Sequence, residues 1–345
     1  MNMKRLITYF PVLAAAFLFA GCDVHEFPEP EPPVIDETRI SLSLEFDLSL
    51  PLFKELEYDP TGGLRTRASS SDDYRLRYIV QAFPAENGSG EDRVPLRTWT
   101  ITRVDPASPD TTLVLDIPSR TSRILVWTDV SDSDGGDLHY ITDSFSEIRL
   151  PDRNNHRGAT ELRQAFRGDL QLVSGQTEGI VRMERPMAKY RFVTNDFDRF
   201  ISNVARQRGG SLSGGAPDLA VELSDYYVRF IYPRYMASSL NMFTNRPADS
   251  WIGVTYTSSI RPIDGTQAEM GFDYVFVNTH ETSVNVGLEV VEHSTGEVVA
   301  RIPSIDIPLT RSKLTTVRGP FLTTKAEGGA GIDPDYDGDF DIEIK

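Results

Sequence analysis

The stretch Ile40-Ser41-Leu42-Ser43-Leu44-Glu45-Phe46-Asp47-Leu48-Ser49-Leu50 alternates apolar and polar residues without interruption. Successive side chains of a β-strand point to opposite faces of the sheet. The apolar members would therefore share one face: Ile40, Leu42, Leu44, Phe46, Leu48 and Leu50. The pattern predicts a strand with one face in a core and the other in water.

The rest of the chain continues in this style, with short apolar or alternating runs separated by Gly, Pro, Asn and Asp. Further strands are predicted at 74–83, 97–104, 111–117, 122–128, 179–183, 188–194, 225–232, 251–258, 273–278, 283–293, 297–307, 314–321 and 340–345. Many short strands without an alternating helix predict an all-β fold of antiparallel sandwiches. The length favours two domains, which we predict at residues 40–178 and 179–345.

A few segments predict structure other than strands. Residues 196–204 are the best helix candidate, with Asn195 as the N-cap, and residues 161–166 predict a short helical turn at most. Polar loops are predicted at 129–137, which is acidic, and at 61–73. The second loop contains Arg65 and Arg67, so we expect it to be exposed to proteases.

The N-terminal residues have the layout of an export signal. Lys4 and Arg5 precede an apolar run over residues 6–20, and Gly21-Cys22 follows. Small residues before a cysteine are typical of a bacterial lipoprotein signal, with cleavage after Gly21 at residues 1–21. Cys22 would then become an N-palmitoyl, S-diacylglycerol cysteine in the outer membrane.

This segment has two other interpretations. A membrane-spanning helix needs about 20 apolar residues, whereas this run has about 15 and is interrupted by Pro11. A plain signal peptide is the other alternative, because Phe19 stands where lipoprotein signals usually carry Leu. Residues 22–39 follow as an acidic tether with four prolines between Pro28 and Pro33, a composition that favours an extended chain.

Charge and cysteine content exclude several functional classes. Removing residues 1–21 takes away two basic residues, which leaves 33 basic and 51 acidic residues and a net charge of −18. Such a surface repels nucleic acid. Cys22 is the only cysteine, so disulfides, a cysteine zinc site and a thiol nucleophile are all excluded.

No catalytic constellation stands out in the sequence. The five histidines are scattered, and no Gly-x-Ser-x-Gly motif is present. We therefore predict that the chain is not an enzyme and needs no cofactor.

Two weak site signals remain. Asp333, Asp335 and Asp337 fit the first half of a calcium loop, but position twelve is Ile344 and Glu343 comes one residue early. The alternative is a turn that leads into an edge strand with an acidic outer face. Thr111, after Asp110, matches a short O-glycosylation pattern.

Several stretches of the chain match one known family in the same order, at 22–28, 124–129, 164–168, 183–192, 271–277, 308–311, 318–323 and 332–344. Through them the chain resembles the FimB/Mfa2-type fimbrial anchor subunits of Bacteroidales along nearly its whole length. No catalytic residue is among these stretches. Gln164 and Thr310 depart from residues common in that family.

The resemblance implies two transthyretin-like β-sandwich domains and a structural role. Such a subunit would be the lipidated base that attaches a type V fimbria to the outer membrane at the cell surface and affects the length and retention of that fimbria. Its partners would be stalk or accessory subunits, joined by strand complementation. The alternative is a surface glycan-binding lipoprotein that uses exposed aromatic residues, for which the candidates are Tyr226, Tyr227, Tyr232 and Tyr235.

Overall fold

The alternating stretch at residues 40–50 does form a strand, and the fold is best described from it. The computed structural model describes residues 36–50, 55–59, 63–67, 74–86, 93–103, 112–207, 223–278, 282–324 and 341–344. By contacts the chain divides into Met1–Asp36 and Glu37–Lys345. All the described residues except Asp36 belong to the second of these units.

The described part is built mainly of strands, which confirms the all-β prediction. The strands are, in chain order, β1 Glu37–Phe46, β2 Glu55–Asp59, β3 Gly63–Arg67, β4 Tyr74–Phe83, β5 Arg97–Arg103, β6 Thr112–Pro118, β7 Arg123–Asp132, β8 Ile148–Arg149, β9 Ala165–Gln171, β10 Glu178–Met183, β11 Met187–Thr194, β12 Tyr226–Tyr232, β13 Met236–Ala237, β14 Ser239–Asn241, β15 Arg246–Pro247, β16 Ser250–Trp251, β17 Val254–Ser258, β18 Arg261–Pro262, β19 Ala268–Phe276, β20 Thr282–Glu292, β21 Val298–Leu309, β22 Leu314–Gly319 and β23 Asp341–Ile344. Within the described residues the α-helix is α1 Phe197–Gln207, and 3₁₀ turns cover Glu161–Arg163 and Leu223–Asp225.

Two sheets enclose the core nearest the start of the described chain, and we call this pair the first sandwich. One sheet has the order β10-β1-β6, and the other has the order β5-β4-β7-β9. β1 alternates between buried and more exposed residues, because only one of its faces meets the opposite sheet. Ile40, Leu42 and Leu44 pack there in a cluster that includes Tyr78 and Phe166.

A second pair of sheets forms what we call the second sandwich. Its sheets have the orders β18-β19-β11-β22-β23 and β17-β12-β20-β21. Aromatic side chains fill the space between them, and the rings of Phe192 on β11 and Phe230 on β12 lie 5.7 Å apart. Offset edge contacts of this kind add to the stabilisation from burial alone.

β4 and β7 are buried almost throughout and do not alternate. Ile124 and Val126 belong to the core of the first sandwich, whereas Leu125 and Trp127 belong to the larger cluster that fills the second. Apolar material therefore covers this sheet on both faces, and its strands become continuous apolar runs.

The pairing differs from the predicted antiparallel arrangement in two places. β1 runs parallel to β10, and β11 runs parallel to β22. The division at 178/179 stays a prediction. The strand at that point, β10, pairs with β1 from Ser41 to Phe46.

Several local predictions were wrong. Apolar alternation predicted one face through Leu50, but β1 ends at Phe46 and Leu48 is 70 % exposed. Asp129, predicted in an acidic loop, lies in β7 and is fully buried against Arg77, at 2.7 Å and 2.9 Å. The backbone of residues 63–67 is strand β3, paired with β2, and not a loop.

Residues 161–171 and the helix also depart from the predictions. The turn at 161–163 leads directly into β9, which pairs with β7. Helix α1 begins at Phe197 and extends to Gln207. Its first turn is closed by the Asp196 carbonyl, which accepts from the Phe200 amide at 3.0 Å, so the cap lies one residue beyond the predicted Asn195.

Candidate functional site: the first and last strands

β1 is held on both edges and on one face. β6 pairs with it from Glu37 to Ser43, and β10 pairs with it from Ser41 to Phe46. Ile40 and Leu42 are completely buried. A central strand with a buried face leaves the sheet only if the ladders on both sides and the core contacts are lost together.

The buried guanidinium of Arg185 fixes the residues that follow β1. It donates to the carbonyl oxygens of Asp47 and Leu50, both at 2.7 Å, and to Oε1 of Gln164 at 3.2 Å and 3.3 Å. It also lies over the ring of Phe166, at 4.7 Å. These contacts turn the chain out of the sheet, which is why Leu48 leaves the buried face.

Burial affects the ionisation of this clamp. Burial lowers the pKa of Arg185, and the nearby Tyr274 and Asp47 partly oppose that effect. Hydrogen bonds to carbonyl oxygens satisfy the charge where water cannot reach it. The role of Arg185 was not predictable from the sequence, because the carbonyls of Asp47 and Leu50 that it holds lie more than a hundred residues earlier in the chain.

β23 is held much more weakly. It has four residues and pairs along one edge, with β22 from Thr315 to Arg318. Ile342 is 40 % exposed. The side chains of Glu343 on β23 and Arg318 on β22 form an ion pair at 2.9 Å, and both are partly exposed. The predicted terminal edge strand is therefore present, and it completes its own sheet.

The most conspicuous polar cluster lies inside the second sandwich. The carboxylate of Asp273 contacts His156 at 2.6 Å, the Tyr232 hydroxyl at 2.7 Å and the Arg163 guanidinium. Burial would raise the pKa of Asp273, but Arg163 and His156 outweigh burial and lower it. All four side chains are buried, so the cluster joins the 156–163 segment to β12 and β19 and offers no surface for a substrate.

Two open clefts lie on the second sandwich. Tyr227, Arg261 and His293 line one of about 490 Å³, in which the Tyr227 and His293 rings lie 4.7 Å apart. Tyr235 stands at the other, which has about 400 Å³. Tyr226 and Tyr232, predicted as glycan contacts, are core residues.

The other predicted site residues lie mostly outside the described residues. This applies to Cys22, Thr111, and the calcium candidates Asp333, Asp335 and Asp337. Arg65 and Arg67 lie in β3, of which only the backbone is described. Among the residues that the structure describes, His, Asp and Glu side chains form no group of three suited to a metal ion. None of the helices in the described ranges is long and apolar enough to cross a membrane.

Comparison with solved structures finds proteins of the order Bacteroidales at low identity. A "putative cell adhesion protein" from Bacteroides eggerthii DSM 20697 aligns over 90 % of this chain and 95 % of its own, with 13 % identity and a TM-score of 0.44. Another of that description from Bacteroides ovatus ATCC 8483 covers 90 % and 98 %, with 11 % identity and a TM-score of 0.44.

A fimbrial assembly protein from Parabacteroides distasonis ATCC 8503 covers 90 % of this chain and 96 % of its own, with 10 % identity and a TM-score of 0.34. At these identities and TM-scores the similarities carry no functional argument.

Comparison by sequence gives a family without an activity. No functionally curated protein matches the chain. The model of a family of unknown function, DUF6562, matches residues 37–345, which includes every described strand from β1 to β23. The chain therefore belongs to the DUF6562 family.

Proposed function

We propose that the chain is a lipid-anchored surface subunit that attaches a fimbria to the outer membrane. The observation that carries the proposal is the position of the lipoprotein-type cysteine relative to β1. Cys22 stands fifteen residues before Glu37, the first residue of that strand, and the intervening segment is rich in proline. A force applied to Cys22 would reach the fold through β1. Of the first and last described strands, β1 is the one that is held more firmly.

The geometry of β1 suits such a load. Ladder hydrogen bonds run across the strands, so a pull along β1 loads the bonds to β6 and β10 together instead of opening them one at a time. Arg185 holds the chain just beyond the far end of the strand. The acyl chains contribute about 0.8 kcal/mol per buried CH₂, and two or more chains give a stable anchor.

Strand complementation is the mode of assembly that we propose for the partner subunits. β23 supports it, because four residues on one sheet edge can be replaced by a longer strand from another subunit at small cost. The matching stretches of sequence, and not the solved structures, favour a fimbrial anchor of the FimB/Mfa2 type.

The test is Cys22→Ala in cells that make the fimbria, with His25→Ala in the same tether as the matched control. We expect loss of palmitate labelling and release of fimbriae into the medium, or abnormally long fimbriae, with Cys22→Ala only. Cell-bound fimbriae of normal length on cells with Cys22→Ala would contradict the proposal.

A second candidate function is binding of a surface glycan. The cleft lined by Tyr227, Arg261 and His293 favours it, since paired rings and a guanidinium suit a sugar that carries a carboxylate. A glycan array probed with the wild type and with Tyr227→Ala tests it. Binding that Tyr227→Ala abolishes would support this candidate, and no binding by the wild type would remove it.

A further inference from the structure

One edge of β20 runs on past the end of its neighbour. β12 and β20 pair from Tyr226–Glu292 to Ile231–Gly287, where the pairing ends. β20 continues in the other direction to Thr282, and over residues 282–286 its partner is β21. On the β12 side this stretch has no strand partner among the described residues.

The backbone groups on that edge can be assigned from the ladder. Residues facing each other across antiparallel strands alternate between hydrogen-bonded and non-bonded pairs. Ser283 faces Pro308, which has no N–H and whose carbonyl accepts from the Thr315 hydroxyl at 2.7 Å. The Ser283–Pro308 pair is therefore non-bonded, and the N–H and C=O groups of Ser283 and Asn285 point away from β21.

Hydrogen bonds further along β20 agree with this alternation of main-chain directions. The amide of His293 donates to Asp225 on the β12 side at 2.8 Å, and the amide of Glu292 donates to Glu297 on the β21 side at 2.9 Å. Odd-numbered residues of β20 thus face β12. Beyond the end of β12, the main-chain N–H and C=O groups of Ser283 and Asn285 offer two hydrogen-bond donors and two acceptors. No described backbone group bonds to them.

A cleft lies directly beside this edge. It has about 400 Å³, within the usual range of ligand sites of about 300–1,000 Å³, and its wall includes Thr282, Ser283 and Val284. Buried side chains of Val275, Phe276 and Leu309 also line it. Tyr235 stands at the cleft and is 70 % exposed.

A charged side chain completes the site. Asp249 lines the cleft and forms no ion pair with a described residue. The side chain of Asn285 is buried and its Nδ2 donates to Asp306 at 2.8 Å, so Asn285 offers an incoming strand its main-chain groups.

We propose that this cleft binds an extended polypeptide segment of a partner protein, which adds as a strand along Ser283–Asn285 of β20. Main-chain groups of the segment would pair with Ser283 and Asn285, and alternate apolar side chains would enter the pocket formed by Val275, Phe276 and Leu309. A basic residue in the segment would face Asp249. The site is separate from β1 and β23 and does not depend on lipid anchoring.

The test selects twelve-residue peptides, displayed on phage, for binding to the full chain that carries Cys22→Ala. The matched pair of variants is Ser283→Ala, which keeps the edge N–H, and Ser283→Pro, which removes it without touching a bond to β21. We expect enriched peptides with apolar residues at alternate positions and a Lys or Arg. They should bind Ser283→Ala like the parent and Ser283→Pro at least ten-fold more weakly.

A second variant and a second measurement guard against misfolding of Ser283→Pro. Ala237→Trp would fill the cleft while leaving the β20 edge unchanged, and it should also weaken binding ten-fold. In the parent, a selected peptide should slow amide hydrogen exchange at Ser283 and Asn285. No patterned peptide, equal binding to Ser283→Ala and Ala237→Trp, or unchanged exchange at these two amides would overturn the proposal.

Discussion

β1 and β23 are the first and last strands of the described chain, and they are held in contrasting ways. β1 has ten residues, two strand neighbours and completely buried side chains. β23 has four residues, one neighbour and a half-exposed Ile342. One terminal strand is therefore fixed by the core, whereas the other is held mainly by its ladder.

This difference matches two separate tasks. Under the proposed function, the strand next to the tether must resist a pull, and the strand at the sheet edge must be replaceable. Burial suits β1 to the first task and β23 to the second. Burying a leucine contributes about 1.5–3 kcal/mol, whereas an exposed ion pair contributes at most about 1 kcal/mol.

The largest effect should come from the buried face of β1. Leu42→Ala removes a completely buried side chain and leaves a cavity, so we expect a loss of about 3–4 kcal/mol in the free energy of unfolding. Urea denaturation measures it, with the exposed Ser43→Ala on the same strand as the control, expected within about 0.5 kcal/mol. Equal losses for the two variants would mean that β1 is not fixed by its core face.

Removing the clamp behind β1 should cost slightly less. Arg185→Met leaves the carbonyls of Asp47 and Leu50 and Oε1 of Gln164 without their donor, and we expect a loss of about 3 kcal/mol. Arg182→Met, at an exposed site on β10, is the control and should change stability little. An unchanged urea midpoint for Arg185→Met would refute the role of the clamp.

Acid should lower the free energy of global unfolding, which protects β1. The difference between that free energy and the smaller one needed to detach β23 should therefore shrink. Burial, together with repulsion from Arg163, lowers the pKa of His139 to about 3. The unfolded state therefore takes up a proton as the pH falls below about 6.5, while the folded state does not until about pH 3. Stability present above pH 6.5 is then lost at about 1.4 kcal/mol per pH unit, or about 2 kcal/mol by pH 5.

Unfolding by urea between pH 7 and pH 5 measures this slope. His139→Gln should flatten it, although the lowered pKa of buried His156 keeps part of it in place. A slope that His139→Gln does not change would show that the histidine is not kept neutral by burial.

The smallest effect should appear at β23. Arg318→Met removes the bond to Glu343 between two partly exposed side chains, and we expect a loss below about 1 kcal/mol. Thermal unfolding against the wild type measures it. A loss as large as that of Leu42→Ala would erase the distinction between the two strands.

Much of this contrast could be predicted from the sequence. Strict alternation predicted the buried face of β1 from Ile40 to Phe46, and the alternating residues near the end of the chain predicted an edge strand. Such local patterns are visible because a strand with one covered face repeats every two residues.

The rest depends on residues far apart in the sequence. β9 was missed because it carries Arg167, Gly168 and Asp169. The glycine is required there by close contact, since an added Cβ would lie 2.3 Å from Val181 and 2.6 Å from Met183. The parallel pairing of β1 with β10, and the burial of Asp129 by Arg77, likewise join segments that no local pattern links.

The most direct test of the contrast is native-state amide hydrogen exchange on the full chain carrying Cys22→Ala. Amides of Ser41–Ser43 lie where β1 is paired on both sides, so they should exchange only through global unfolding. Of the adjacent amides of Ile342 and Glu343 in β23, the one that donates to β22 should exchange at least about 100-fold faster, by local detachment of one edge strand. Equal protection of the two strands would contradict the account.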